Sequence, residues 1–545
     1  MPDRPAAPEP PTLVADVCVV GAGPAGLTLA RELSTAGLDV LVLEAGPGSP
    51  PAGGVDVTST RNVGLPYDPA ATRSAGVGGS SLRWRVPTPL GGGFVRLREL
   101  EPDDLDAVGG GPGWPLSYDV LRPFYARSRE LLGMAGGAPA EALAGGPLER
   151  HVYSFVHRSV FTERLPAELR RAARVRLLPD TSATEVLVDP GSGEVLGLRA
   201  RSLAGGDASV RARVYVLAAG AIENARLLLA SRSVLAAGVG NGHDHVGRHF
   251  MEHPHFHSGV ALPRPGAPDL ETVPERWDVV VEDGHPLQRK YAVPGEVLRR
   301  EGLLRAVYKV KAHSGEGTPG FGHDGTVPED VVEAYAALRR ARHEPGHGHV
   351  TASTVGRLLR GAPHLLRYAV ARRSHARGAA ATGQERFRVH VMAEQEPSPL
   401  SRVRLSAGTD RLGVPLAELD WRLTARDRTS IVRNQQLVTA ALGETLGARV
   451  VSTLGPDGPS TPQGGAHHMG TTRMSARAQD GVVDPDCRVH GHRNLFVAGS
   501  SVFPVGGAAN PTLTIVALAL RLVEQLVTEL RPVAGRSTAS GCVGS

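Results

Sequence analysis

The chain has little cysteine, little lysine and no long apolar run. Only three cysteines, Cys18, Cys487 and Cys542, occur in 545 residues, so the sequence provides no disulfide framework and favours a reducing, cytoplasmic location. Cys18 stands in an apolar stretch and is interpreted as a small buried residue. The length suits two or three ordinary domains or one large enzyme with an interrupted core.

The scarcity of lysine argues against reading the positive net charge as a sign of nucleic-acid binding. The formal net charge is +5 and the isoelectric point is near 9.3, but only Lys290, Lys309 and Lys311 among the 60 basic residues are lysines. The arginines are spread along the chain with acids between them, so we expect no nucleic-acid partner. The basic stretch 357–377 fits an amphipathic helix on a membrane surface, or a helix with a solvated basic face, which we favour.

Neither a membrane-spanning segment nor a signal peptide is predicted. The longest apolar stretch, 513–528, is interrupted by Arg521 and Glu524, so we expect no membrane association. Residues 1–11 lack the apolar centre of a signal peptide. This segment and residues 531–545 are predicted to be disordered tails.

A strand, a glycine turn, a helix and a second strand follow one another near the N-terminus. Residues 15–20, "ADVCVV", suit a buried strand, and "GAGPAG" continues it with glycines in GxGxxG spacing. A helical period follows, and "DVLVLE" ends a second buried strand in Glu44. This order predicts a cofactor that contains ADP, with its pyrophosphate on the helix N-terminus and its ribose on Glu44.

The fingerprint alone does not separate NAD from FAD, since both contain ADP. The chain has no second fingerprint with suitable flanks, which argues against a nicotinamide domain beside a flavin domain. Residues 213–231, "RVYVLAAGAIENARLLLAS", predict a late strand, a turn of small residues and a helix. A two-part FAD domain needs such a returning strand to close its sheet, so FAD is favoured.

Several motifs resemble the glucose–methanol–choline (GMC) family of FAD-dependent alcohol oxidoreductases. The resemblance runs from about residue 15 to 528 and rests on "GVGGSSLRW" (76–84), "VGRHFMEHP" (246–254), "HHMGTTRM" (467–474) and "NLFVAGSSVFPVGGAANPTLT" (494–514). Within the family, the chain is most similar to pyranose oxidases and glycoside 3-oxidases. The resemblance implies a mixed α/β fold, in which a discontinuous Rossmann-like FAD domain is interleaved with a substrate-binding domain built on an antiparallel sheet.

The resemblance also implies domain boundaries. They are 12–95, 172–255 and 462–530 for the FAD domain, 96–171 for a connecting or lid segment, and 256–461 for the substrate-binding domain.

One departure from the resemblance concerns the attachment of the flavin. Fungal pyranose oxidases carry a flavin-linked histidine in the glycine-rich loop, and Arg83 stands at that position here. A guanidinium cannot form the bond, so we expect noncovalent FAD. The predicted cofactor-binding residues are Gly21, Gly23, Ala25, Gly26, Glu44, Ala45, Gly78, Gly79, Ser80, Ser81, Arg83, Trp84, Ala183, Ala218, Ala219, Gly220, Asn224, Gly499, Ser500, Asn510, Pro511 and Thr512.

Alcohol oxidation needs a proton acceptor, and histidine titrates near neutral pH. In the family, the base is the first residue of a His-x-x-Gly-Thr motif, which is His467 here, with His468 as the alternative. Asn510 matches the second catalytic position, where an amide orients the substrate hydroxyl. Asn510 also precedes Pro511, as an N-cap would. The predicted substrate contacts are Arg85, His467, His468 and Asn510.

The resemblance implies a specific reaction. It is the oxidation of a secondary alcohol, at carbon 2 or carbon 3 of a pyranose sugar or glycoside, to the ketone, with O2 or a quinone as the final acceptor. One alternative is a GMC enzyme acting on a non-sugar alcohol in natural-product tailoring. Another is a non-catalytic flavin-binding protein, against which the pair His467 and Asn510 argues. The oligomeric state is left open, with a monomer as one option.

Two further stretches are ambiguous. His253, His255 and His257 alternate as if on one strand face, and three more histidines occur in 343–349. No cysteine accompanies them and the first group overlaps a flavin-family motif, so no metal site is predicted. The glycine-rich segment 313–327 and the helix-like stretch after it form either a lid over the substrate or an insert without catalytic consequence.

Overall fold

The fold is described from a computed structural model. It describes residues 11–49, 60–106, 113–134, 141–142, 147–202, 205–264, 279–312, 331, 334, 354–363, 366, 387–445, 447–459 and 462–531. The glycine-rich segment 313–327, the histidines of 343–349, nearly all of both predicted tails and most of the basic stretch 357–377 lie outside these residues.

A seven-stranded sheet carries the nucleotide fingerprint. Its strands, numbered along the chain, are β1 (Thr12–Val20), β2 (Val40–Leu43), β8 (Val175–Leu178), β9 (Thr181–Val188), β10 (Val195–Ser202), β11 (Asp207–Leu217) and β21 (Leu495–Val497). Their order is β8-β2-β1-β11-β10-β9, with β21 beside β11. Strand β11 runs parallel to β1, which confirms the predicted late strand that returns to the sheet.

An eleven-stranded sheet forms the second layer. It contains β4 (Val86–Thr88), β5 (Gly91–Leu97), β6 (Glu141–Ala142), β7 (Glu149–His157), β12 (Pro254–Pro263), β13 (Val280–Glu282), β14 (His285–Ala292), β15 (Ala306–Ala312), β16 (Phe387–Ala393), β19 (Ala448–Ser452) and β20 (Gln463–Gly464). The main order is β19-β12-β16-β15-β14-β7-β5-β4. Neighbouring strands pair antiparallel, as predicted for the substrate-binding part of the chain.

A small third sheet and the helices complete the described fold. The sheet pairs β17 (Arg402–Thr409), β18 (Pro415–Asp420) and β3 (Thr60–Asn62). The α-helices are α1 (Pro24–Thr35), α2 (Pro69–Thr72), α3 (Pro102–Leu105), α4 (Tyr118–Leu132), α5 (Leu165–Arg171), α6 (Ala221–Ala230), α7 (Gly295–Glu301), α8 (Ala425–Thr445) and α9 (Thr512–Leu530). Among the described residues, no helix has the length and apolar character to cross a membrane.

The mixed α/β prediction is confirmed, whereas the domain boundaries stay a prediction. Strands β5 and β7 belong to the antiparallel sheet, and β7 comes from the stretch predicted as a connecting or lid segment. Helix α9 packs against α1 and α4 on the seven-stranded sheet. Its apolar face is buried over most of its length. A helix from late in the sequence therefore packs against α1, which follows the first strand.

Close packing of backbone explains two glycines of the fingerprint. Gly21 has a φ of +107°, and a Cβ there would lie 2.6 Å from the carbonyl oxygen of Ala218. A Cβ on Gly26 would lie 1.9 Å from the carbonyl oxygen of Gly21. A side chain at position 21 would collide with the end of β11, and one at position 26 would push α1 away from the turn after β1. The turn therefore stays tight, and the N-terminus of α1 remains at the edge of the sheet.

Candidate active site

A cavity of about 430 Å³ lies between the glycine turn after β1 and the start of α9. Most of the predicted cofactor and substrate residues line it. They are Gly21, Gly23, Ala25, Glu44, Ala45, Gly79, Ser80, Ser81, Arg83, Trp84, Arg85, Ala183, Ala218, Ala219, Gly220, His467, His468, Gly499, Ser500, Asn510, Pro511 and Thr512. We call it the main cavity. It brings the two ends of the sequence together in one site.

Three predicted cofactor residues do not line the main cavity. Gly26 packs beneath the turn, as described above, and the amide of Gly78 donates to the carbonyl of Ala22 at 2.9 Å. Asn224 accepts a hydrogen bond from the amide of Ala219 at 2.9 Å, and its Nδ2 donates to Ser501 Oγ at 3.1 Å. These residues hold the loops that face the cavity and do not form its wall.

The backbone around the cavity fits the pyrophosphate of FAD. Gly79 has a φ of +55°, and a Cβ there would lie 2.8 Å from Gly23 Cα, so the two glycine loops meet without side chains between them. Gly23 is the cap of α1 and has Pro24 after it. The first residues of α1 line the cavity, and free amides at a helix N-terminus favour phosphate oxygens. The residues present therefore suit the cofactor.

Glu44 is buried and ties three loops together. Its Oε2 accepts from the amide of Ala22 at 2.8 Å, while Oε1 accepts from Gly46 at 2.9 Å and Gly76 at 2.7 Å. Burial raises the pKa of this carboxyl, and the three backbone hydrogen bonds act in the opposite direction. The carboxylate lines the cavity, but only Oε2 retains a clear acceptor position. Its contact with the ribose stays a prediction.

His467 lies in a chain of hydrogen bonds that fixes its tautomer. His253 Nε2 lies 2.9 Å from the carbonyl oxygen of Gly507, and a carbonyl only accepts, so this nitrogen carries the proton. The other nitrogen of a neutral His253, Nδ1, is then an acceptor and lies 2.8 Å from His467 Nδ1. His467 therefore donates from Nδ1, and its Nε2 holds the unshared electron pair.

That electron pair faces Asn510. The Nδ2 of Asn510 lies 2.9 Å from His467 Nε2 and donates to it. Asn510 Oδ1 is buried and has no hydrogen-bond partner. Both side chains line the main cavity. A proton acceptor, His467 Nε2, and an amide donor, Asn510 Nδ2, thus lie side by side, as the proton and the oxygen of a hydroxyl group would require.

The expectation that Asn510 caps the last helix is wrong. Helix α9 begins at Thr512, its cap is Pro511, and no side chain caps it. The amide of Asn510 is instead directed to His467. An asparagine followed by a proline resembles an N-cap with proline at the first helical position. Here Pro511 is itself the cap, so the helix begins one residue later than the pattern predicts.

His468 has a different environment from His467. Its Nε2 lies 2.5 Å from Tyr67 Oη and 3.3 Å from Thr72 Oγ1. Burial lowers the pKa of His468 to about 3. Both histidines line the cavity, but the contact with Asn510 belongs to His467.

Glu252 holds the loop that carries His467. Its side chain is fully buried and accepts from the amides of His253, Gly465 and His467 at 3.0 to 3.1 Å and from Tyr67 Oη at 2.6 Å. Burial raises the pKa of Glu252 to about 7. Neither Glu252 nor His253 is among the residues predicted for the site, although both lie in "VGRHFMEHP".

The pKa of His467 lies well below its usual value. Burial is the main cause, and the neighbouring His253, His255, Lys290 and Arg96 lower it further. The imidazole is therefore neutral at physiological pH and ready to accept a proton. The same surroundings make it a weaker base, so efficient proton transfer depends on its position next to the substrate hydroxyl.

The lowered pKa predicts activity that persists in acid. The neutral imidazole is the active form, and it is lost only as the pH falls through the depressed pKa of His467. We expect the acid limb of the pH profile of kcat/KM to lie well below pH 6.5. The measurement is anaerobic flavin reduction by the best alcohol substrate between pH 4 and 8. An acid limb at or above pH 6.5 would contradict the assignment.

The alternating histidines, for which no metal site is predicted, lie partly in this site. His253 contacts His467, and the rings of His255 and His467 have centroids 6.0 Å apart. Among the described residues, no group of three or more histidine, cysteine, aspartate or glutamate side chains is arranged to hold a metal ion.

Arg83 is held at the wall of the main cavity. Its Nε lies 2.6 Å from both the carbonyl oxygen of Arg73 and Ser74 Oγ. We expect denaturation with trichloroacetic acid to release all of the flavin into the supernatant, because this residue cannot form the covalent link. The absorbance of supernatant and pellet at 450 nm checks this. A pellet that stays yellow would show a covalent bond to another residue.

The chain belongs to the GMC oxidoreductase family. Models of that family match residues 156–255 and 397–519, and a model described as an FAD binding domain matches residues 14–65. The cofactor is therefore FAD, and the chain is an oxidoreductase that acts on CH–OH donors.

Curated relatives extend along nearly the whole chain. The 6'''-hydroxyparomomycin C oxidase of Streptomyces lividus and the paromamine 6'-oxidase of Streptomyces fradiae are each 26% identical and cover 94% of this chain and 92% of their own length. The C-glycoside 3-oxidase of Arthrobacter globiformis is 38% identical over 125 residues, which is 22% of this chain and 23% of that protein.

Solved structures show the same fold. An FAD-dependent oxidoreductase from Chaetomium thermophilum matches with a TM-score of 0.52 at 17% identity, covering 94% of this chain and 99% of that one. A pyridoxine 4-oxidase from Mesorbium loti matches with a TM-score of 0.51 at 17% identity, covering 94% and 98%.

Proposed function

We propose that this chain oxidises a secondary alcohol, at carbon 2 or carbon 3 of a pyranose sugar or glycoside, to the ketone. The observation that carries the proposal is the unprotonated Nε2 of His467 beside the amide group of Asn510 at the cavity wall. The relatives' names support the sugar class, since one of them specifies a C-glycoside. Those names differ in position, 6' in one and 3 in another, so the carbon is part of the proposal.

The chain's residues divide the proton chemistry between them. His467 Nε2 accepts the proton of the substrate hydroxyl as the carbon gives up its hydride. FAD, when bound, supplies the hydride acceptor. The substrate hydroxyl takes the place of Asn510 Nδ2 at His467 Nε2, and that amide then donates to the hydroxyl oxygen, which holds the hydroxyl proton toward Nε2. The positive charge that develops on His467 is stabilised by the acceptor His253 Nδ1, which lies 2.8 Å from the protonated Nδ1.

FAD would be held by backbone more than by side chains. The turn at Gly21 and Gly23 and the loop from Gly79 would bind the pyrophosphate, and Glu44 would face the ribose. The start of α9 at Thr512 would lie beside the flavin. We propose the boundaries 12–95, 172–255 and 462–530 for this FAD domain, 96–171 for the connecting segment and 256–461 for the substrate domain. O2 or a quinone reoxidises the cofactor.

A bleaching screen tests the proposal. The purified holoprotein is mixed anaerobically with glucose, methyl glycosides, choline and simple alcohols, and the flavin absorbance is followed. Bleaching by a sugar or glycoside, but not by choline or simple alcohols, supports the proposal. Bleaching by non-sugar alcohols alone would indicate a different substrate, and no bleaching by any alcohol would indicate a non-catalytic flavoprotein. Oxygen uptake compared with quinone reduction then identifies the acceptor.

A further inference from the structure

A second cavity, of about 720 Å³, adjoins the main cavity. It lies on the antiparallel sheet, and Arg96 and His255 line both cavities. The rings of His255 and His467 have centroids 6.0 Å apart. A substrate whose reacting hydroxyl lies at His467 can therefore extend into this second cavity.

Four basic or titratable side chains cross the sheet in one row beneath the second cavity. Register aligns His257 of β12 with His390 of β16, and His390 with Lys309 of β15. Continuing the antiparallel register of β14 and β15 places Lys290 opposite Lys309. All four residues line the second cavity. We call them the basic row.

Lys290 is the one member of the basic row that is buried, and it has no counter-ion among the described residues. It is 4% exposed, and its ammonium lies 4.0 Å from the centroid of the Tyr153 ring. No carboxylate among the described residues forms an ion pair with it. Burial, together with the guanidinium groups of Arg96 and Arg98, holds the pKa of Lys290 well below its usual value. An unpaired buried ammonium is costly, and an anion that entered the cavity would relieve that cost.

Arg96 adds a second cation with spare donors. It donates to the neutral Gln288 Oε1 at 2.9 Å, and its Nε has no hydrogen-bond partner. His255 Nε2 is also buried and unpartnered. Of the described residues that line the second cavity, Asp457 alone carries a carboxylate, and it is exposed. Where the second cavity meets the main cavity, its described lining therefore offers basic groups and buried donors and no carboxylate.

We infer that the second cavity binds an anionic substituent of the substrate, a carboxylate or a phosphate group, while the hydroxyl that is oxidised lies at His467. Arg96 offers a planar set of donors, and Lys290 offers a compact charge that a neighbouring anion favours. An amine substituent would be repelled at the same place. The inference rests on the proposed function and narrows its substrates to acidic sugars, such as uronic acids or sugar phosphates.

The test compares four pyranoses that differ in charge. They are glucose, glucuronate, glucose 6-phosphate and glucosamine, each supplied to the holoprotein at constant ionic strength. We expect kcat/KM for at least one anionic sugar to exceed that for glucose by roughly tenfold or more, since hydrogen bonds to charged groups are stronger than those between neutral groups. Glucosamine should be the poorest substrate. Whichever anionic sugar is preferred identifies the carboxylate or the phosphate as the ligand.

Lys290→Met keeps the volume and removes the charge, so the preference for the anionic sugar over glucose should fall by roughly tenfold. Arg289→Gln is the matched control. Arg289 neighbours Lys290 on β14, points to the opposite face because strand side chains alternate, and pairs with Glu282 at 2.7 Å. We expect that control to keep the preference. FAD content by absorbance confirms that each variant is folded.

Three results would overturn the inference. The first is a wild-type protein that oxidises glucose as well as either anionic sugar, and the second is a Lys290→Met variant that keeps the preference. If no sugar reduces the flavin, the proposed function fails and calorimetry decides the inference separately. Binding of inorganic phosphate or glucuronate by the wild-type holoprotein supports it, and binding of neither is the third result against it.

Discussion

His467→Ala should slow anaerobic flavin reduction by roughly 10²–10⁴-fold, the usual effect of removing a general base. The imidazole supplies the unprotonated Nε2 in the series of hydrogen bonds that joins Gly507, His253, His467 and Asn510. FAD content should change little, because the backbone amide that binds Glu252 remains in the variant. Stopped-flow absorbance measures the reduction rate, and the ratio of absorbance at 450 and 280 nm measures the flavin content.

His468→Ala is the control for that prediction. His468 is the adjacent residue, equally part of the cavity wall, but its Nε2 contacts Tyr67 and Thr72. We expect a much smaller effect on the reduction rate. If His468→Ala slows reduction more than His467→Ala does, the general base has been assigned to the wrong histidine.

Asn510→Asp should slow flavin reduction at neutral pH by at least roughly tenfold, about 1.4 kcal/mol. The amide Nδ2 donates to His467 Nε2, whereas a carboxylate in its place can only accept. His467 would then take up a proton at Nε2 to satisfy that acceptor, and its pKa would rise. The base would be protonated before the substrate arrives. The acid limb of the pH profile should move to higher pH, which a loss of packing alone would not produce.

Asn510→Ser provides the neutral comparison. A serine is smaller than asparagine and brings no charge to His467 Nε2, so it should lower the rate without moving the acid limb. Reduction rates of both variants between pH 4 and 9 show whether the acid limb moves only in the charged variant. Equal rates and equal pH profiles for Asp and Ser would show that the charge at position 510 does not act on His467.

Local patterns predicted the nucleotide half of the site well. The turn at Gly21, the start of α1 and the strand that ends before Glu44 are all encoded by adjacent residues, and each has the predicted form. The late strand β11 was also predicted, because its apolar run and small-residue turn are contiguous. The position of Asn510 beside His467 followed from family motifs, and their contact at 2.9 Å agrees with it.

The residues that support His467 could not be predicted in the same way. His253 and Glu252 act through hydrogen bonds to positions more than 200 residues away, and neither spacing nor periodicity reports such contacts. The basic row is similar, since its four members come from four strands that only the sheet brings together. Asn510 shows the opposite failure, because its local pattern predicts a helix cap, whereas Pro511 is the cap and the Asn510 amide donates to His467.

The order in which the main cavity is assembled follows from the residues that line it, which run from Val20 to Ile515. During synthesis the first glycine turn leaves the ribosome long before the start of α9, which supplies the opposite wall. Domains commonly fold as they emerge, but this cofactor site is complete only when the chain has been made as far as α9. FAD that binds only the native state stabilises it by mass action, so the supply of flavin at that late moment would govern how much newly made chain reaches its final form.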